Sequence, residues 1–128
     1  MLLKVPLLLG LIALGPLVCI FEFVDVSKST NAFAICVEFA VFQFNEVQED
    51  EYAYKLLWVG RSQRKRFTWI YLMDVKMGRT VCKKHDEDID NCPLQEGPGK
   101  KKVDCTFVVD VQPWLSEFTV LNSTCVQE

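Results

Sequence analysis

The stretch NAFAICVEFAVFQFN, residues 31–45, decides the fold of this chain. Apolar residues recur in it at the spacing i, i+3, i+4, i+7, i+8 and i+11, namely Phe33, Cys36, Val37, Ala40, Val41 and Phe44. This spacing predicts an α-helix about 22 Å long. Phe39 and Phe42 widen its apolar surface, and Ser29 or Thr30 can cap its first turn. So broad an apolar surface has to be covered by other elements.

Alternating apolar residues in the rest of the chain predict strands rather than further helices. Residues 52–63 form one predicted strand, and residues 67–77 form a second whose alternate side chains share one apolar face. Two more strands are predicted over residues 103–112 and 118–125. The acidic connection at residues 48–51 is interpreted as a solvated turn. The simplest arrangement is an α+β fold in which an antiparallel sheet wraps around the helix.

The N-terminal residues are typical of a signal peptide, which we place at residues 1–19. Lys4 supplies the positive charge, and residues 7–18 form an apolar segment shorter than the ~20 residues that a membrane-spanning helix needs. We expect cleavage near Cys19, which leaves one domain over residues 20–128. An uncleaved membrane anchor is the alternative. The predicted location is extracellular, without membrane attachment after cleavage.

The charge of the chain limits its partners. The formal net charge is −3, and basic residues occur only in short clusters, so nucleic acid is not an expected partner. Asn122, followed by Ser and Thr, is a predicted glycosylation site of the exported chain. No local signature of a catalytic nucleophile is present, and we expect no enzyme activity.

Two groups of potential metal ligands are incomplete. Cys82, His85 and Cys92 supply three zinc ligands, but no fourth ligand follows, and oxidised cysteines do not bind metal. Three alternating aspartates after His85 resemble the start of a calcium loop, but Asn91 and Gly97 replace its turn glycine and its last glutamate. We therefore expect neither a metal nor a cofactor.

An exported protein is expected to oxidise its cysteines. Four of them lie in the C-terminal half and allow three pairings: Cys82, Cys92, Cys105 and Cys125. We expect the pairs Cys82–Cys92 and Cys105–Cys125, because each joins the ends of neighbouring elements in the proposed fold. Cys36, on the apolar face of the helix, is expected to be buried and unpaired.

Several of these stretches together resemble the type 2 cystatin family. The matching segments follow one another in the family's order: residues 37–41, 44–45, 71–82, 90–93, 113–114 and 122–125. The chain also resembles a cystatin-related subgroup of the male reproductive tract that lacks the usual first-hairpin motif. The resemblance covers the whole predicted domain and implies a five-stranded antiparallel sheet wrapped around one long helix.

The resemblance also implies a function. Inhibitors of this family push a wedge into the active-site cleft of papain-like cysteine proteases. The wedge combines an N-terminal segment with a Gly, a first hairpin reading Gln-x-Val-x-Gly and a second hairpin reading Pro-Trp. The implied protease-binding residues of this chain are Arg64, Lys65, Arg66, Phe67, Thr68, Pro113 and Trp114. All three signature residues of the first hairpin are replaced, and only the Pro-Trp pair is retained.

These replacements predict weak or redirected inhibition. Arg66 brings a charge to a position where an apolar side chain is buried, and Thr68 adds a Cβ where Gly allows close approach. Phe21 or Glu22 occupies the position of the N-terminal Gly, and Glu49 that of an Asn used against legumain-like proteases. The alternative is a non-inhibitory secreted binding or structural protein. The expected partners are papain-like cysteine proteases or an acidic protein surface.

Overall fold

A computed structural model describes residues 22–86 and 88–128 of the chain. In chain order its elements are β1 (Phe23–Asp25), α1 (Asn31–Val47), β2 (Tyr52–Lys65), β3 (Ile70–Lys83), β4 (Lys102–Gln112) and β5 (Glu117–Gln127). Within the described residues, the strands form one antiparallel sheet in the order β1-β2-β3-β4-β5, and α1 packs against it. The predicted α+β fold is confirmed. The predicted signal peptide, residues 1–19, lies outside the described residues.

The core lies between α1 and the face of the sheet that it covers. Helix α1 contributes four buried residues of the predicted stripe: Phe33, Cys36, Val37 and Ala40. The sheet contributes alternate residues of β3 and β4: Tyr71, Met73, Val75, Met77, Cys105, Phe107, Val109 and Val111. Because side chains in a strand alternate between faces, these residues form one continuous apolar surface under the helix.

The two ends of α1 are held differently from what the sequence indicates. Thr30 is the residue before the first turn, but its hydroxyl donates to the carbonyl oxygen of Ser27 at 3.1 Å and does not cap the helix. At the other end, the side chain of Asn45 is buried and forms two hydrogen bonds with the backbone of Tyr54, as a paired strand residue would. Its Nδ2 donates to the carbonyl oxygen of Tyr54 at 2.9 Å, and its Oδ1 accepts from the Tyr54 N–H at 2.8 Å. These two bonds fix the end of α1 to the start of β2.

The first hairpin differs from its predicted position. Strand β2 extends to Lys65, and β3 begins only at Ile70. Phe67 and Trp69 were expected on the buried face with Tyr71, but their side chains are 89% and 45% exposed. Phe33, in the first turn of α1, packs against Tyr71 with ring centroids 6.2 Å apart. Residues before Tyr71 lie beyond the start of the helix, which leaves them without a covering element.

The cysteines form the bridges expected from the sequence. Two disulfides join Cys82 to Cys92 and Cys105 to Cys125, and Cys36 is buried and unpaired. Burial raises the pKa of the Cys36 thiol to about 12, because the thiolate loses its hydration in the core.

The sequence suggested that the acidic connection after α1 is a solvated turn. In the structure, part of this connection is half-buried and paired. Asp50 pairs with Arg79 of β3: the Nε–Oδ2 distance is 2.7 Å, and Nη2 donates to Oδ1 at 3.0 Å. The Tyr52 N–H and the Tyr54 hydroxyl also donate to this carboxylate. Burial opposes ionisation of Asp50, but the hydrogen bonds and the charge of Arg79 outweigh it and hold its pKa below the ordinary value.

This pairing predicts a pH-dependent contribution to stability. Because the folded pKa of Asp50 is lowered, its carboxylate stabilises the fold above the unfolded pKa of about 3.9. That stabilisation is lost as the pH falls through the folded pKa. We expect Asp50→Asn to lower the Tm at neutral pH by about 3–6 °C, and the difference to narrow in acid. Thermal denaturation of the unmodified protein and of Asp50→Asn, from neutral pH down to acid pH, measures this difference in Tm.

The matched control is Glu49→Gln, which removes an adjacent exposed carboxylate that forms no hydrogen bond or ion pair among the described residues. Its Tm should follow that of the unmodified protein at every pH. A Tm difference for Asp50→Asn that is equally large at neutral and acid pH would contradict the ionic origin of the effect.

Candidate functional site

Three segments that the resemblance marks as functional meet at one end of the sheet. Phe23 of β1 pairs with Lys65 at the end of β2, so Glu22 lies beside the first hairpin. The Val111 N–H donates to the carbonyl oxygen of Trp69 at 3.1 Å, which brings the end of β4 to the same hairpin. The second hairpin follows β4 directly. This end of the molecule, formed by Glu22, residues 66–69 and residues 113–116, is called the hairpin edge below.

The predicted strands end at residue 63 and resume at residue 67, which would leave three consecutive cations, residues 64–66, in the turn; the structure shows that this prediction is wrong. Arg64 and Lys65 belong to β2, where they pair with Val24 and Phe23 of β1. The guanidinium of Arg64 lies over the ring of Trp69, 5.9 Å from its centroid. Only Arg66 of the three lies in the turn. Arg64 and Lys65 are only partly buried, so their long side chains can extend towards solvent from the sheet.

Thr68 and Phe67 shape the turn. The Thr68 hydroxyl donates to the carbonyl oxygen of Lys65 at 2.7 Å and accepts from the Ile70 N–H at 3.1 Å, which closes the loop. Phe67 has a φ of 66°, in the left-handed region that favours glycine. Thr68, which was expected to hinder close approach to a protease, therefore stabilises the turn of the free protein. The unusual backbone conformation lies one residue earlier, under an exposed aromatic ring.

The charge of Arg66 is compensated locally. Its Nε lies 3.1 Å from Oε1 of Glu22, and its backbone N–H donates to the Glu22 carbonyl oxygen at 3.0 Å. Both side chains of this ion pair are partly exposed. Glu22, which stands near the expected N-terminal Gly position, thus holds the N-terminal segment against the first hairpin.

The second hairpin presents an aromatic side chain. Residues Pro113–Leu115 form a 3-10 turn, and Ser116 adopts a left-handed conformation with φ of 53° before β5 begins. Trp114 is 69% exposed, and the neighbouring Leu115 is also exposed. Trp114 therefore contributes little to the core and is available for contact with another molecule.

The hairpin edge is more apolar than its sequence suggested. Four large side chains are exposed along it: Phe67, Trp69, Trp114 and Leu115. The sequence did not single out Glu22, Trp69 or Leu115 as contact residues. One sequence signal could have indicated their exposure. The apolar alternation of β3 continues back to Trp69 and Phe67, which lie too far along the strand for a helix that starts at residue 31 to cover them.

The predicted glycosylation site lies away from the hairpin edge. Asn122 is exposed in the middle of β5, where it pairs with Val108 of β4. A register shift between Val108 and Val109 leaves Leu121 as an additional residue of β5, beside Asn122. This position is sterically open to an attached sugar.

Comparison with known proteins agrees with this geometry. The sequence model of the family described as "Cystatin domain" matches residues 21–114. The chain belongs to the cystatin family. It is similar to probable cystatin-15 of Bos taurus, with 65% identity over 97% of each chain. It is also similar to cystatin-12 of Mus musculus, with 56% identity over 99% of each chain.

The crystal structure of dimeric human cystatin F supports the fold. It superposes with a TM-score of 0.74 at 24% identity, over 84% of this chain and 87% of that chain. Membership of this family agrees with the expectation that the chain is not an enzyme. In the part of the chain that the structure describes, no helix is both long enough and apolar enough to cross a membrane.

The backbone of Phe67 allows a test of the turn geometry of this cystatin. A left-handed conformation is unfavourable by about 1–2 kcal/mol for residues with a Cβ and nearly neutral for glycine. We expect Phe67→Gly to be more stable than Phe67→Ala by about 1 kcal/mol. Chemical denaturation of the two variants measures the difference. Both remove the exposed ring, so their comparison isolates the backbone.

The equivalent pair at an ordinary strand position is Thr119→Gly and Thr119→Ala, at an exposed residue of β5. There alanine should be the more stable residue, by roughly 0.5–1 kcal/mol. The same order of stability at both positions would show that Phe67 does not hold a left-handed turn in solution.

Proposed function

We propose that this chain is a secreted cystatin that binds the active-site cleft of papain-like cysteine proteases through its hairpin edge and inhibits them weakly. The observation that supports the proposal is the alignment of three segments at one end of the sheet, with Phe67, Trp69 and Trp114 exposed. Aromatic side chains on a rigid scaffold lose little conformational entropy on binding. They are also the residues that most often dominate interface energies.

We attribute the weak inhibition to the charge of Arg66 in the first hairpin. Insertion of the first hairpin into a cleft removes water from the Arg66–Glu22 ion pair, whose members lie 3.1 Å apart and are both partly exposed in the free protein. Desolvation of a charge pair often outweighs the attraction between its charges. An apolar side chain at the same position would gain roughly 1.5–3 kcal/mol from burial. The aromatic rings can anchor the contact, but part of their binding free energy is offset by the desolvation of the ion pair.

A graft of the family motif tests the proposal. We replace Arg64-Lys65-Arg66-Phe67-Thr68 by Gln-Val-Val-Ala-Gly and measure the inhibition constant against papain, beside that of the unmodified protein. The graft removes the ion pair and places an apolar residue at position 66, so we expect inhibition to strengthen about 10- to 100-fold. Adding Trp114→Ala to the graft should remove most of this gain, because the second hairpin then lacks its anchor.

The matched control for Trp114 is Trp58→Ala, which removes another exposed tryptophan on β2, outside the hairpin edge. It should leave the inhibition by the grafted protein unchanged. Nanomolar inhibition by the unmodified protein would contradict the desolvation argument. No inhibition by the graft would contradict the proposal that the hairpin edge reaches the cleft.

A second candidate is a non-inhibitory binding protein for an acidic protein surface. Arg64 favours it, because its guanidinium stacks over Trp69 and so places a cation beside an exposed ring. Stacked arginines suit carboxylate recognition. The graft distinguishes the two functions, since it removes the cations: it would abolish binding to an acidic surface and strengthen binding to a protease cleft.

Secretion is part of the proposal and leads to a prediction at Asn122. We expect protein secreted from mammalian cells to carry an N-glycan there, because the side chain is exposed on β5. Asn122→Gln and glycosidase treatment should each increase gel mobility by the same amount. The control Asn91→Gln changes an exposed asparagine outside a sequon and should leave mobility unchanged. Secreted protein insensitive to glycosidase would contradict the prediction.

A further inference from the structure

A groove lies between α1 and the segment that follows β3. Its volume is about 680 Å³, within the range of about 300–1,000 Å³ that is usual for binding sites. Its apolar part is formed mainly by Val37, Val41, Phe42, Leu56 and Ile89. Phe42 is 58% exposed, and Leu56 opposite is also exposed. Two large apolar side chains therefore face solvent in one concave surface.

Carboxylates surround this apolar part. Five of them line the groove: Glu38, Glu46, Asp86, Asp88 and Asp90. Glu46 pairs with His85 at 3.0 Å, and Asp86 and Asp88 accept hydrogen bonds from the Lys83 N–H and the Asn91 side chain. Within the described residues, the carboxylates of Glu38 and Asp90 form no hydrogen bond or ion pair.

Little positive charge balances them. Lys84 is the lysine that lines the groove, and its ammonium donates to the Gln48 carbonyl oxygen at the end of α1. Because the last turn of α1 contains no basic residue, Lys84 offsets the partial negative charge of this helix end rather than the carboxylates of the groove. The carboxylates do not converge on a metal site in the described part of the chain. A small cation is therefore not the expected occupant.

We propose that this groove binds a basic segment of a partner protein in which lysine or arginine flanks an aromatic or large aliphatic residue. The apolar side chain packs against Phe42 and Leu56, and the cations approach Glu38 and Asp90. The groove extends from Val37 in α1 to Lys84 after β3, whereas the hairpin edge precedes Ile70. None of the residues that line the groove belongs to the hairpin edge, so this binding does not depend on the function proposed for that edge.

The test uses the fluorescent peptide Gly-Lys-Phe-Lys-Leu-Lys-Gly and measures its Kd by anisotropy. We expect saturable binding that weakens as salt rises. Glu38→Gln with Asp90→Asn should raise the Kd about three- to tenfold, because two uncompensated charges are removed from an exposed site. Phe42→Ser should raise it independently through the lost apolar contact. Neither change removes a buried side chain.

Controls separate the groove from general attraction to an acidic protein. Glu49→Gln with Glu96→Gln removes the same charge from exposed positions outside the groove and should leave the Kd unchanged. A peptide with serine in place of phenylalanine and leucine should bind more weakly than the original. Equal binding of both peptides, or equal effects of the two double variants, would overturn the proposal.

Self-association is measured in the same samples by sedimentation. If the groove is instead occupied by a second copy of this chain, the mass will rise with concentration, and Glu38→Gln with Asp90→Asn will reverse the rise. That outcome would overturn the proposal of a separate partner. A monomer that binds the basic peptide through Phe42 supports it.

Discussion

The apolar face of α1 has to be covered, and the way the sheet covers it determines where the rest of the surface is exposed. Phe33 packs on Tyr71 at the first turn, and Asn45 hydrogen-bonds to Tyr54 at the last. Between these two contacts the core is continuous. Beyond the first, both hairpins extend past the helix, so their aromatic side chains remain exposed. The hairpin edge is thus a consequence of helix position as much as of hairpin sequence.

Much of the fold could be predicted because two periodicities are distinct in this sequence. The 3.6-residue spacing predicted α1, and the two-residue alternation predicted β3 and β4. The face expected to be buried in β3 is correct from Tyr71 onward. The turn of the first hairpin could not be placed in this way. Consecutive cations suggested a break, whereas the strand continues through Lys65, and the left-handed residue is a phenylalanine, for which no sequence signal exists.

The candidate site was predictable only in part. Pro113 and Trp114 were identified through the family resemblance, and both lie in an exposed turn. The role of Glu22 could not be predicted, because its ion pair with Arg66 joins residues 44 positions apart and depends on the pairing of β1 with β2. The pairing of Asp50 with Arg79 escaped prediction for the same reason. Sequence spacing predicts neighbours within an element but not across a sheet.

The distribution of charge is more informative than the net charge. At the hairpin edge, Arg66 is neutralised by Glu22, and the remaining surface is largely aromatic. In the groove beside α1, the carboxylates of Glu38 and Asp90 form no ion pair within the described residues. A net charge of −3 suggests a uniformly mild acidity, but the chain separates an apolar contact surface from an acidic one. Because the two surfaces share no residue and salt screens exposed charges within about 8–10 Å, a partner on one surface should be little affected by the charges of the other, and the two can act independently.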